Sequence, residues 1–129
     1  MTQKLSMPRP DNLFLHEMRD AVSRIHQVIG NLSTEGIAAD PLRTDALMWN
    51  YTVLGEAANK VSREFRNAHP EIVWHRPIGL RNRIIHGYWS IDIDVLVTTA
   101  ERELQGAGRG RYSLACWPPW PERRRSRSW

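Results

Sequence analysis

Apolar residues recur along the first third of the chain at alternating steps of three and four: Leu15, Met18, Val22, Ile25, Ile29 and Leu32. That spacing lays them on one stripe of an α-helix. A long helix is therefore predicted from Asp11, fraying at Gly30-Asn31 and Ser33-Thr34, with Gly36 in the following turn. Asp40 followed by Pro41 is a second start signal, a capping side chain and then a proline at the first helical position. The stripe it opens reads Leu47, Tyr51, Leu54, Ala58, Val61 and Phe65, and Pro70 marks its end. Two such helices joined by a short loop are expected to pack as an antiparallel hairpin.

Beyond them, His69-Pro70-Glu71-Ile72-Val73-Trp74 reads as a connector whose Ile72 and Trp74 suit the end of a bundle. Pro77 opens a shorter third helix, from about Ile78 to His86, closing at Gly87. Ser90 or Asp92 caps a fourth, with Ile93, Leu96, Val97, Ala100 and Leu104 on its apolar side and Gly106 or Gly108 as its stop. The run Ile91–Val95 alternates like a strand, but it is short and leads straight into helical spacing. The fold class expected is all-α, a small antiparallel four-helix bundle.

Composition sharpens this in four ways. A chain of 129 residues holds one domain with a sizeable core. Its single cysteine, Cys116, excludes an intrachain disulfide framework and offers no cysteine cluster for zinc. Neither a secretory signal nor a run of roughly 20 apolar residues is present, so a cytoplasmic protein without membrane contact is expected. The net charge of +4 is unevenly placed. Residues 109–129 carry six arginines and one glutamate, whereas residues 1–108 carry twelve basic and thirteen acidic side chains, a net of −1. The expected organisation is a flexible arm over 1–10, a helical domain over 11–108, and an Arg/Pro/Trp-rich tail over 109–129 that lacks any period and is expected to be disordered. That tail reads either as an arm for nucleic acid or a partner, or as an extension with no specific role.

The chemistry-bearing residues concentrate in Leu80–Asp92. At about 100° per residue, Leu80 and Ile84 face the core while Asn82 and His86 share the opposite side. Arg81 stands about 140° around from His86, too far for the two to aim at one point from a single ideal helix. Either the helix loosens near Gly87 or two copies of the segment meet. Ile85, between Arg81 and His86, favours the second, because an apolar residue there points to a covered seam. In the second helix Gly55 costs about 1 kcal/mol relative to alanine, which a close helix crossing would explain. Its neighbour Glu56 reads either as a solvated acid or as the holder of Arg81 or Arg83. His16, His26, His69, His75 and Glu71 show no diagnostic metal spacing, and Gly106-Ala107-Gly108-Arg109-Gly110 is no nucleotide cradle, so no metal or cofactor is expected.

The segment Arg81-Asn82-Arg83-Ile84-Ile85-His86-Gly87-Tyr88 resembles the signature of the HEPN superfamily, in particular the HepT-like toxins of prokaryotic HepT–MntA pairs. Leu54-Gly55-Glu56-Ala57, His69-Pro70-Glu71-Ile72 with Trp74, and Ile91-Asp92 accompany it in family order, so the likeness spans about residues 11–104. Val73 stands where relatives often carry a proline, and the chain after about Gly106 has no family-like continuation. The resemblance implies a homodimer whose motif helices line one cleft, and metal-independent cleavage of RNA with Arg81 and His86 as catalytic residues. It also implies an MntA-like nucleotidyltransferase antitoxin that adenylylates Tyr88. Asn82, Arg83 and Glu56 would support the site. The competing reading is a non-catalytic dimerisation module that binds RNA, a nucleotide or a protein.

Overall fold

The structure, a computed structural model, describes residues 8–87 and 90–104. The proposed modification site Tyr88 and the whole 109–129 tail lie outside the described residues. Six helices occupy the described residues, with no strand among them: α1 (Pro8–Ile29), α2 (Thr34–Ala38), α3 (Pro41–Lys60), α4 (Arg63–Ala68), α5 (His75–Gly87) and α6 (Ile93–Glu103). The four long ones are the four expected from the sequence.

α1 opens at Pro8, inside the segment expected as an arm. Prolines are tolerated in a first turn because the N–H groups they lack would have no helical partner there. The apolar stripe Leu15, Met18, Val22, Ile25 and Ile29 is buried together with Ala21. The helix stops at Gly30, the one described residue at positive φ (54°), whose N–H returns to the His26 carbonyl. Leu32, expected as the last of the stripe, is therefore past the helix and 39% exposed.

α2 occupies what reads as a turn. Ser33 caps it by accepting from the Gly36 N–H, and Ile37 is buried. Asp40 caps α3 as expected, accepting from the Leu42 and Arg43 N–H groups. The start of α3 reaches back to the end of α1 through the Arg43 guanidinium, which donates to the Val28 carbonyl. At the other end, Asp11 near the start of α1 meets Ser62 just beyond α3. These two contacts fix α1 and α3 as an antiparallel pair.

The second contact also ends α3 early, which corrects the single helix expected to run on to Pro70. The Ser62 N–H and hydroxyl donate to the Asp11 carboxylate at 2.9 and 2.7 Å, and the same hydroxyl oxygen accepts from the Phe65 N–H. Ser62 thus caps a separate helix, α4, and Val61 becomes extended between the two. Asp11→Ala should leave a half-buried N–H and hydroxyl without their acceptor, costing about 1–2 kcal/mol. A thermal melt should show this as a fall of roughly 4–15 °C; an unchanged midpoint would mean the clasp contributes nothing.

The connector packs as expected. Ile72 and Trp74 are buried, the Trp74 indole N–H donates to the His69 carbonyl, and Phe65 lies against both the His69 ring (4.4 Å) and, edge-on, Trp74 (6.2 Å). The exposed Glu71 carboxyl is held below its ordinary range, first by its own backbone N–H and then by a hydrogen bond with His69. α5 starts three residues before the expected Ile78, so Pro77 is buried in its first turn rather than preceding it. Of the two candidate caps for α6, Asp92 does the capping, accepting from the Asp94 N–H, while the Ser90 hydroxyl donates to the Gly87 carbonyl.

α3 is the central element, packed on α1 and on α5. Its buried residues Leu47, Asn50, Tyr51, Leu54, Gly55, Ala57 and Ala58 span more than one stripe, as a helix covered on two sides requires. The buried Tyr51 hydroxyl donates to the Leu96 carbonyl at 2.7 Å and so ties α3 to α6. His26 on α1 lies 3.0 Å from the Leu104 carbonyl at the far end of α6. No helix among the described residues is long and apolar enough to cross a membrane.

Candidate functional site

The site starts with a missing side chain. A Cβ at Gly55 would stand inside contact distance of both the Pro77 carbonyl oxygen and the Arg81 Cβ. Only glycine permits α3 and α5 to cross so closely, which accounts for a residue that is otherwise unfavourable in a helix interior.

That crossing brings Glu56, the next residue on α3, against Arg81 on α5. Arg81 Nη2 lies 2.7 Å from Glu56 Oε1, and Arg81 Nη1 donates to Asn82 Oδ1 at 2.6 Å. Its Nε is buried with no hydrogen-bond partner among the described residues. Lys60 adds a second cation on Glu56 Oε2 at 3.6 Å. Of the two sequence-level readings of Glu56, the anchoring of Arg81 is the geometry found. With side-chain exposures of 26% for Arg81 and 41% for Glu56, the pair is partly solvated and adds at most about 1 kcal/mol of stability. Its chief effect is to hold the guanidinium in one place.

Along α5 the expected faces appear. Leu80 and Ile84 are buried; Asn82 and His86 are exposed on the opposite side, and Ile85 is 49% exposed between Arg81 and His86. Arg83 is half-buried on the flank away from Arg81. The helix stays regular through Gly87. Loosening at that glycine therefore does not bring the two side chains together, and Arg81 and His86 stay about 140° apart on one rod. One copy of the chain presents Arg81 and His86 on different sides of α5, with an exposed isoleucine between them.

Some features had no signal in the sequence. Lys60 falls at the end of α3 and reads as an ordinary last-turn base; its partnership with Glu56 follows only from where the helix ends. Trp49 stands 66% exposed on α3 although it sits within the apolar run Leu47-Met48-Trp49. Asn50 is buried, its amide donating to the Ala46 carbonyl while its Oδ1 has no partner among the described residues. Among the described residues no group of three or more His, Cys, Asp or Glu side chains is placed to hold a metal ion.

Comparison with known proteins places these features in a family context. A family model described as HepT-like, "Ribonuclease HepT-like", matches residues 18–107. "Probable ribonuclease HepT" of Thermococcus cleftensis is 26% identical over 98 residues, covering 76% of this chain and 89% of that protein. A "Putative RNase" of Caldanaerobacter subterraneus subsp. tengcongensis is 28% identical over 100 residues, covering 78% of this chain and 87% of the relative. A further "Putative RNase" from Methanocaldococcus jannaschii is 24% identical over 91 residues, covering 70% and 75%. No solved structure matches the chain significantly.

Proposed function

Since the chain belongs to the HepT-like ribonuclease family, we propose that it is a metal-independent endoribonuclease acting as a homodimer, the toxin of a toxin–antitoxin pair. The observation that carries the dimeric reading is the angle on α5. A regular helix through Gly87 keeps Arg81 and His86 from meeting within one copy, and the half-exposed Ile85 between them is the residue a second α5 would cover. A two-fold pair of α5 helices would set the Arg81 of each copy opposite the His86 of the other, around one cleft.

In that cleft the 2′-hydroxyl of the substrate attacks the adjacent phosphorus. The P–O2′ bond forms as the P–O5′ bond breaks, leaving a 2′,3′-cyclic phosphate and a free 5′-hydroxyl. The proton leaves the 2′-oxygen and a proton reaches the departing 5′-oxygen. Histidine suits either transfer because its charge changes near neutrality, and His86 is exposed on α5, about 140° around from Arg81. Arg81 holds the phosphate and offsets the charge that grows on its oxygens. Asn82, within 2.6 Å of Arg81 and one turn from His86, orients the guanidinium. Tyr88, two residues beyond His86, is where a nucleotidyltransferase antitoxin would transfer an adenylyl group from ATP to the phenolic oxygen, releasing pyrophosphate. The added bulk and negative charge would close the cleft to RNA.

The decisive assay is digestion of cellular RNA by the purified protein in excess EDTA. Cleavage that leaves cyclic-phosphate ends supports the reading; RNA bound but uncut in both EDTA and magnesium would instead favour a binding module. Within the same assay Glu56→Gln tests the anchor. Losing one partly exposed ionic contact should slow cleavage by up to about fivefold, the equivalent of roughly 1 kcal/mol. Full retention of rate would return Glu56 to the status of a surface acid.

A further inference from the structure

Trp49 is the largest exposed apolar side chain of α3, 66% exposed, and no aromatic ring or cation stacks on it among the described residues. It lies seven residues before Glu56, which is about 10 Å along the helix and about 20° around it. Trp49 therefore shares a stripe with the carboxylate that holds Arg81. The indole also stands on a border. Leu42 and Val53 flank it on one side, and Asp45, Thr52 and Glu56 on the other, the latter edge being the one that adjoins the Arg81 bridge.

We propose that Trp49 is a base-stacking platform for single-stranded RNA whose phosphate is held at Arg81. The proposal rests on the ribonuclease reading and adds a substrate contact to it. A strand clamped at Arg81 covers the distance to Trp49 within about three nucleotides at the ~3.4 Å rise of a stacked strand. Such a platform answers a specific deficit. Residues 1–108 carry a net charge of −1, so the helical domain has little bulk attraction for a polyanion. Stacking on an aromatic ring does not depend on charge and is sequence-tolerant, since every base has a π-face. RNA fits this border better than a second copy of the chain does. A base has an apolar face and a polar rim, like the two flanks of Trp49, whereas a protein interface centred here would have to bury Asp45, which is exposed on the same stripe.

The test uses the full chain carrying His86→Ala, so that RNA is bound without being cut, and an unstructured RNA of about ten nucleotides. Trp49→Leu keeps an apolar side chain but removes the π-face, and Trp49→Phe restores a ring. The affinity should fall about tenfold or more in Trp49→Leu, equivalent to at least ~1.4 kcal/mol, and should stay within about threefold in Trp49→Phe. RNA should quench the tryptophan fluorescence of the parent protein more than that of Trp49→Phe. The molar mass by light scattering should be the same in all three. Unchanged affinity in Trp49→Leu, or no RNA binding by the His86→Ala parent, overturns the proposal. A fall in molar mass with Trp49→Leu also overturns it and assigns the face to a second copy. Cleavage by the protein with native His86 separates the two readings: a nuclease indifferent to Trp49 loses only the platform, and Trp49-dependent binding without cleavage loses only the nuclease.

Discussion

His86→Ala should reduce RNA cleavage by about 10²- to 10⁴-fold, the usual contribution of a positioned acid–base group, without unfolding the protein. The side chain is exposed and the adjoining core contacts of α5 come from Leu80 and Ile84, so the thermal midpoint should stay within about 2 °C of wild type. The proposed two-copy cleft makes a sharper prediction. His86→Ala and Arg81→Ala chains should each be inactive alone, yet mixing and exchanging them should restore about one quarter of wild-type activity. Random exchange puts half of the dimers in mixed pairs, and each mixed pair holds one intact combination of Arg81 and His86 out of two. Absence of any recovery, with subunit exchange verified, would mean that both groups act from the same chain and that the two-copy cleft is wrong.

The second large effect is expected at Gly55. Alanine is ordinarily the better helix residue by about 1 kcal/mol, so Gly55→Ala on an open helix face would be stabilising. Here the added methyl meets a backbone oxygen, that of Pro77, and the Cβ of Arg81, neither of which can rotate aside. α3 and α5 must separate, and the overpacking should cost about 1–3 kcal/mol net, read as a fall in thermal midpoint of roughly 4–20 °C. Because the same separation lifts Glu56 from Arg81, cleavage should fall even at temperatures where the variant remains folded. A midpoint at or above that of wild type would show that the crossing is looser than described.

These two residues also show what the sequence disclosed and what it did not. The four long helices were legible because each carries a stripe of the right period. Gly55 was legible as a close crossing because a glycine in a helix interior needs a reason. Glu56 was legible only as either a solvated acid or the holder of Arg81 or Arg83, and the choice of Arg81 came with the geometry of the crossing. The end of α3 was not legible. The apolar stripe continues through Val61 to Phe65, and the interaction that breaks the helix comes from Asp11, 51 residues away. Nor was α2, since five residues are too few to show a period and its Ser33 cap looks like any polar turn. The exposure of Trp49 was hidden for the opposite reason. A central helix is apolar on more than one side, so its pattern does not say which apolar position is left uncovered.

The tie between His26 and the Leu104 carbonyl spans 78 residues, and Leu104 itself is fully buried. Chains cut back before Leu96 should therefore fail to give a cooperative melt, although all of α1, α3 and α5 would be present. During synthesis from the N-terminus at about 5–20 residues per second, Gly87 is made roughly one to three seconds before Leu104. The helix bearing the candidate cutting groups is complete before α6, the one that closes the core against α1 and α3. Birth of the protein is thus ordered so that the core shared by α1 and α3 is closed only after α5 has been made.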